Sequence, residues 1–358
     1  MALPETMSGF QLTRHGGPET LVWSDDIPVR KPGAGEVLVR VKAAGVNNTD
    51  VNTRIGWYSS AVTNSTADVD PNAEIEDGGW SGALPFPLIQ GGDLCGEIVA
   101  LGADVRDANN FEIGMRVTSP TVQAIPTPEA PTKFVTLGSE YDGAFAQYCT
   151  LPADQVFDVS NSPLSDQEIA ALPCAFGTAM GLLTRAQVSA GDRVLITGAS
   201  GGVGMAAVQL AKLRGAEITG IASPAKQADV LAAGANDVIA RGDIPQAQSY
   251  NVVIDLVGGE DWPHFINALK PSGRYAVSGA IAGPIVAADL RTIYLNDLTL
   301  LGSTYQAKEV FAELVELINQ GQIKPLISKT YPLSDIATAQ EDFLSKQYPG
   351  KLVLIPPQ

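Results

Sequence analysis

Four glycines, Gly198, Gly201, Gly202 and Gly204, sit between a strand-like run, Val194-Leu-Ile196, and a helix-like one, Met205 to Leu213. A glycine turn between strand and helix lets backbone N–H groups close on an anionic pyrophosphate at the positive end of the helix. The plain alternative is a βα turn that only packs helix on strand. A second chemical signal is Gly220-Ile-Ala-Ser-Pro-Ala-Lys-Gln227, at the end of the next strand-like segment. An acid at such a strand tip binds the ribose 2′-hydroxyl of NAD and repels a 2′-phosphate. No acid stands at this tip, and Ser223 and Lys226 offer a hydroxyl and an ammonium, which suit a dianionic group. The expected cofactor is therefore NADPH.

The composition narrows the partners. The 358 residues suffice for two domains, and 23 Lys+Arg against 39 Asp+Glu give a formal net charge of −16. Such a surface repels nucleic acid and anionic membrane, so a small-molecule substrate is expected, with the cofactor pocket a local basic exception. Three well-separated cysteines, Cys95, Cys149 and Cys174, read as reduced thiols of a cytoplasmic protein rather than a disulfide framework. The first residues lack a signal-peptide pattern, and no run approaches the ~18 apolar residues of a membrane span.

Elements that would position these residues fall into two styles. The first ~155 residues read mostly as strands and turns, with strands at Val37–Ala44, Glu97–Leu101, Met115–Thr118 and Gly143–Leu151. From Arg54 to Pro87 periodicity disappears, which indicates a lid or an insertion. Ser165-Asp-Gln-Glu168 matches a capping box. Strands at 194–197, 217–222, 237–239, 252–257, 273–277 and 298–301 then alternate with helices near 203, 225–233 and 261–270, as in a parallel sheet with helices on both faces. An amphipathic helix is expected at 308–320 and a last strand at Gly350–Ile355.

Several segments, in order, resemble the medium-chain dehydrogenase/reductase superfamily, nearest its zinc-free quinone oxidoreductase branch. They are Gly35-Glu-Val-Leu-Val39, Ala44-Gly-Val-Asn-Asn-Thr-Asp50, Arg54-Ile-Gly-Trp-Tyr58, Gly143-Ala-Phe-Ala-Gln-Tyr148, Ala171-Leu-Pro173 with Thr178, the glycine turn, Gly234-Ala-Asn-Asp-Val-Ile239, Asp255-Leu-Val-Gly258 and Gly350-Lys-Leu-Val-Leu354. The resemblance implies an α/β protein. A chaperonin-10-like β domain would span 1–158 and 325–358, and a Rossmann doubly wound parallel sheet 159–324, with the active site between them. It also implies a homodimer joined through edge strands near Leu298–Thr304.

The same resemblance assigns site residues. The cofactor would meet Thr178, Ser200, Gly201, Gly202, Val203, Ser223, Lys226, Val257, Ser278 and Gly279. Tyr58 would donate a hydrogen bond to the acceptor's oxygen, and Asn47 an amide N–H to substrate or to the nicotinamide ribose. Asp50 reads as a structural cap or a partner of Arg54. Trp57, Trp80 and Phe86 line the pocket or anchor the insertion. Zinc-dependent members carry a cysteine at the position of Asn47, a Gly-His-Glu triplet at Gly91-Gly92-Asp93, and a third ligand at the position of Cys174. A catalytic zinc takes three protein ligands; here one cysteine remains, and the two histidines, His15 and His264, stand outside any ligand pattern.

The expectation is a metal-free site. Zinc normally polarises the oxygen of an alcohol or carbonyl. Without it, the easier target is a conjugated acceptor, a quinone or an α,β-unsaturated carbonyl, whose charge spreads onto an oxygen held by hydrogen-bond donors. Two other readings stay open: a zinc-free NADP-dependent alcohol or carbonyl dehydrogenase, and a non-catalytic NADPH-binding sensor.

Overall fold

The computed structural model describes residues 3–70, 75–105 and 111–358. The chain forms two units, one of residues Met1–Val62, Asp70–Gly177 and Ala307–Gln358, the other of Thr63–Val69 and Thr178–Gln306. The division differs from 1–158 with 325–358 against 159–324. Residues 159–177 and 307–324 pack with the first unit. Phe157 stacks edge-on against Phe311 at 5.1 Å, and the Ser162 hydroxyl donates to the Ile318 carbonyl.

In the first unit the strand Glu36–Val46 organises a seven-stranded sheet of the chaperonin-10-like kind. Val37, Val39, Val41, Ala43 and Ala44 are completely buried. Its first half pairs antiparallel with Tyr148–Pro152, its length with Cys95–Leu101, and its end with the C-terminal strand Lys351–Ile355. Leu352 stands opposite Val46, so the register delivers Lys351 to the place where the Glu36–Val46 strand ends. Gly45 admits no side chain, because a Cβ would lie 2.6 Å from both the Ala170 carbonyl and the Asp93 carboxylate.

The second unit is a Rossmann fold. Six strands run parallel in the order Asp237–Ala240, Glu217–Ala222, Arg193–Ile196, Tyr250–Asp255, Leu269–Val277, Thr299–Gly302. This is the 3-2-1-4-5-6 order, which reverses at the first strand, where dinucleotides bind. Val194, Leu195, Ile196, Val252, Val253 and Ile254 are completely buried, as strands covered on both faces require.

The expected elements appear with shifted bounds, the helix expected at 261–270 ending at Asn267 and giving way to the strand Leu269–Val277, and two segments differ further. Of the Gly143–Leu151 segment, only Tyr148–Pro152 is strand. Gly143, Ala144 and Phe145 instead donate in succession to the carbonyls of Ile89, Gly91 and Gln90, a pattern of consecutive donors that no alternating ladder has. Helix Asn48–Ile55 also reaches into the stretch that lacked periodicity, and Gly56 in the left-handed region (φ 72°) ends it. Beyond it, the described part of the insertion holds a short 3-10 turn, Thr66–Asp68, and a bridge between Gly79 and Gly82.

Candidate active site

In the Rossmann unit, strand Arg193–Ile196 leads through Gly198 (φ 58°) into helix Gly202–Leu213, with Gly201 as its N-cap. A cap without a side chain leaves the first helical N–H groups to an incoming anion. Gly204 must be glycine: a Cβ would lie 2.3 Å from the Gly198 carbonyl and 2.6 Å from Ala199 Cα. Ser200 is buried, while Gly202 and Val203 keep partial exposure and Gly201 is open. A second turn follows the strand Tyr250–Asp255. Asp255, fully buried, accepts from Thr197 Oγ1 (2.7 Å), Val257 N (2.9 Å) and Tyr275 Oη (2.6 Å), and so ties Val257 to the residue that opens the glycine turn. Ser278 N–H donates to the Asp255 carbonyl, and Gly279 leaves no room for a Cβ against the Leu256 carbonyl at 2.8 Å. Thr178, on helix Pro173–Arg185, is half-buried.

Ser223 N-caps the turn Pro224–Lys226 at the end of the second strand. Burial lowers the Lys226 ammonium below the ordinary lysine range, and the neighbouring Arg241 guanidinium lowers it further. Sequence reasoning missed Arg241. It follows the third strand, whose Ala240 stands opposite Ala222 in the parallel register, and its N–H donates to the Ala222 carbonyl. Two cations thus stand at the tips of adjacent strands. The signal was a cation two residues beyond a predicted strand, legible only once the strand order is known.

The first unit holds the second group of candidate residues. Asn47 closes the Glu36–Val46 strand and opens helix Asn48–Ile55, and is 6% exposed. Its backbone N–H donates to the Asp50 carboxylate at 2.8 Å, the return half of a capping box. Asn47 is therefore the N-cap and Asp50 its capping-box partner at the third helical position; Arg54 does not pair with Asp50, donating instead to the Gly16 carbonyl and to Gln340 Oε1.

The Asn47 side chain points into a buried cluster. Lys351 Nζ donates to Asn47 Oδ1, to Asp93 Oδ2 at 3.0 Å and to the Val46 carbonyl at 3.1 Å; Asn47 Nδ2 donates to Asp93 Oδ2 at 2.8 Å. An ammonium only donates and a carboxylate only accepts, so the amide orientation is fixed. The other Asp93 oxygen accepts from Cys174 N (2.6 Å) and Thr121 Oγ1 (3.1 Å).

Tyr58 follows the helix cap. Burial raises its phenol above the ordinary tyrosine range, against the side chains of Thr49 and Asn52, which hydrogen-bond to it and lower it. The phenol therefore stays protonated and able to donate. Rings continue from it: Trp57 lies 5.5 Å away, Trp80 from the insertion 5.1 Å away, and Phe134 a further 6.1 Å beyond Trp80. The structure thus brings Trp57, Tyr58 and Trp80 together. Phe86 lies apart from them, edge-on to His15 at 5.0 Å, where it anchors the end of the insertion. Phe134 had no signal in the sequence.

Asp50 gives a first test. Burial, with the Asp93 charge adding to it, raises its carboxyl from 3.8 to about 7, partly offset by the hydrogen bond from Asn47 and the Lys351 charge. A folded pKa above the unfolded one gives stability that is complete below pH ~4 and is lost as pH rises through ~7, a change on the order of 4 kcal/mol. The difference in unfolding free energy between the unaltered protein and Asp50→Asn, measured by denaturant titration, is expected to shift by that amount against the unaltered protein between pH 4 and pH 8. A flat difference would contradict it.

The positions that hold zinc in the zinc-dependent members do not fit the metal here. Asn47 Oδ1 already receives an ammonium, which repels a second cation. A Cβ on Gly92 would lie 2.5 Å from Thr121 Cγ2, so a side chain there would require Thr121 to move. Burial, and then the Asp93 charge, push the Cys174 thiol up to about 12. Among the described residues no group of three or more His, Cys, Asp and Glu could hold a metal ion.

Residues 33–161 match the family model of the alcohol dehydrogenase GroES-like domain, and residues 202–320 that of zinc-binding dehydrogenase. The second span contains none of positions 47, 92 and 174. The quinone oxidoreductase of Lama guanicoe is 30% identical over 366 residues, covering 98% of this chain and 97% of that protein. The acryloyl-coenzyme A reductase of Metallosphaera sedula is 26% identical over 341 residues, covering 90% and 93%. A solved structure from Sinorhizobium meliloti 1021, provisionally named an alcohol dehydrogenase, is 41% identical with a TM-score of 0.87, covering 99% of this chain and 98% of its own.

Proposed function

The chain belongs to the medium-chain dehydrogenase/reductase superfamily, and from that premise we propose that it is an NADPH-dependent, zinc-independent reductase of quinones or α,β-unsaturated carbonyls. Oxidoreductase chemistry comes with the superfamily; the cofactor's phosphate and the acceptor are our reading. The observation that carries it is the cluster at Asn47, where an amide locked between Lys351 and Asp93 stands at a position that zinc-dependent members give to a metal ligand. Hydrogen-bond donors suffice for an acceptor that spreads its charge; an unactivated alcohol asks for a Lewis acid.

NADPH, when bound, supplies the hydride. Ser200, Gly201, Gly202 and Val203 would hold its pyrophosphate, Ser223, Lys226 and Arg241 its 2′-phosphate, and Thr178, Val257, Ser278 and Gly279 the nicotinamide half. The free N–H of Asn47 Nδ2 and the Tyr58 hydroxyl hold the acceptor's oxygen, and Tyr58 is the group with a proton to give there. Trp57 and Trp80 offer flat apolar faces to a conjugated ring. NADPH oxidation with benzoquinone, phenanthrenequinone, a short enone and a simple aldehyde, each repeated with NADH, tests the reading. Faster turnover of conjugated acceptors with NADPH is expected. Reversible oxidation of simple alcohols with NADP, and none of the conjugated acceptors, would put the alcohol dehydrogenase reading in its place.

We also propose that the protein is a cytoplasmic homodimer. Among the described residues no helix is long and apolar enough to cross a membrane. Among the described residues, the last Rossmann strand, Thr299–Gly302, has one unpaired edge, and Leu290, Leu295 and Tyr294 near it in sequence are each more than 60% exposed, Leu300 on the strand 40%. An apolar patch beside an open strand edge suits pairing with a second copy. Leu295→Asp with Leu300→Asp is expected to give a monomer by light scattering, where the unaltered protein runs as a dimer; an unchanged mass would contradict this interface.

A further inference from the structure

Lys351 has no role in the reaction described so far, yet its ammonium is almost fully enclosed, with its side chain 4% exposed and that of Asp93 0%. Burying an ammonium is costly unless every hydrogen is paired, and here all three are: on Asp93, on the Val46 carbonyl and on Asn47 Oδ1. The third bond is the informative one. A cation on the oxygen of an amide draws electron density from its nitrogen, and a polarised N–H is a stronger donor. The other end of the amide is held by the Asp93 carboxylate. One Nδ2 hydrogen is thus spent on Asp93, and the second is left in a plane that two charged groups fix. The Lys351 ammonium and the Asp93 carboxylate offset each other's charge.

We propose that Lys351 is a positioning residue, which orients and polarises the Asn47 amide so that its remaining N–H serves the acceptor's developing oxyanion. The proposal rests on the assignment of Asn47 as that donor. Lys351 reaches this place through the strand pairing of Leu352 with Val46, and its role is electrostatic rather than covalent.

Two measurements on the full-length protein test it. In the first, Lys351→Gln is examined alone and in an Asn47→Ala background, with NADPH and phenanthrenequinone. The lysine change is expected to lower kcat about 30-fold or more with less than about twofold change in KM for NADPH. In the Asn47→Ala background it is expected to cost no more than about threefold, because the group it acts through is gone. Equal losses in both backgrounds would overturn the proposal. In the second, the side-chain amide resonances of Asn47, assigned by their disappearance in Asn47→Ala, are followed by NMR without any acceptor. Lys351→Gln is expected to move them strongly upfield and to speed their hydrogen exchange; unmoved resonances would overturn the proposal. Should Lys351→Gln fail to fold, the pair Lys351→Gln with Asp93→Asn, read against Asp93→Asn alone, carries both readouts. Absence of turnover by the unaltered protein would defeat the assigned reaction, while the amide resonances would still decide for or against Lys351.

Discussion

Replacing Lys226 and Arg241 together by glutamate is expected to raise KM for NADPH at least about 100-fold and to leave KM for NADH nearly unchanged. Each cation would make a charge-assisted contact to the 2′-phosphate, worth about 1.5–3 kcal/mol. Two such contacts correspond to roughly 10²–10⁴ in affinity, and Arg241 is exposed, which favours the lower figure. The arrangement makes sense for an anion. Without one, the pair repels itself, which is why Arg241 lowers the Lys226 ammonium. The chain carries a net charge of −16, so two cations at adjacent strand tips are a local exception. The ratio of kcat/KM for the two cofactors, measured for the unaltered protein and the double variant, checks the prediction. An unchanged ratio would remove the case for the phosphate.

Asn47→Ala is expected to lower kcat on a conjugated acceptor by about 10²–10³-fold, the usual loss when one oxyanion donor is removed. KM for NADPH should stay within about threefold, because the proposed cofactor contacts all lie in the Rossmann unit. The variant also deprives Lys351 and Asp93 of a partner, yet those two still bond each other at 3.0 Å, so the fold should persist. Single-turnover kinetics separate the chemical step from binding and release. A variant with unimpaired chemistry would show that Asn47 only shapes the turn.

Much of the fold was legible because it depends on local pattern. The strand Glu217–Ala222 has the expected bounds. Ser165 accepts from the Glu168 N–H as a capping box should, and the glycine turn leads into helix Gly202–Leu213 as its spacing required. The segment 143–147 misled because its small and aromatic residues look like a strand, whereas its N–H groups serve a neighbouring turn. The site was legible one half at a time. Asn47 and Tyr58 lie on a recognisable segment, but Lys351 meets Asn47 across 304 residues of chain, and only the antiparallel register makes that pairing. Arg241 depended likewise on a parallel register. The insertion had no period to read, and Trp80 reaches Tyr58 through a loop whose path no local rule sets.

The central claim is hydride transfer to a conjugated acceptor without a metal. Its most direct test is NADPH oxidation by chelator-dialysed protein, shown by elemental analysis to be free of zinc, with phenanthrenequinone and with an unconjugated aldehyde. The account predicts full activity on the quinone, little on the aldehyde, and no gain when zinc is restored. Activity that disappears on dialysis and returns with zinc would contradict it.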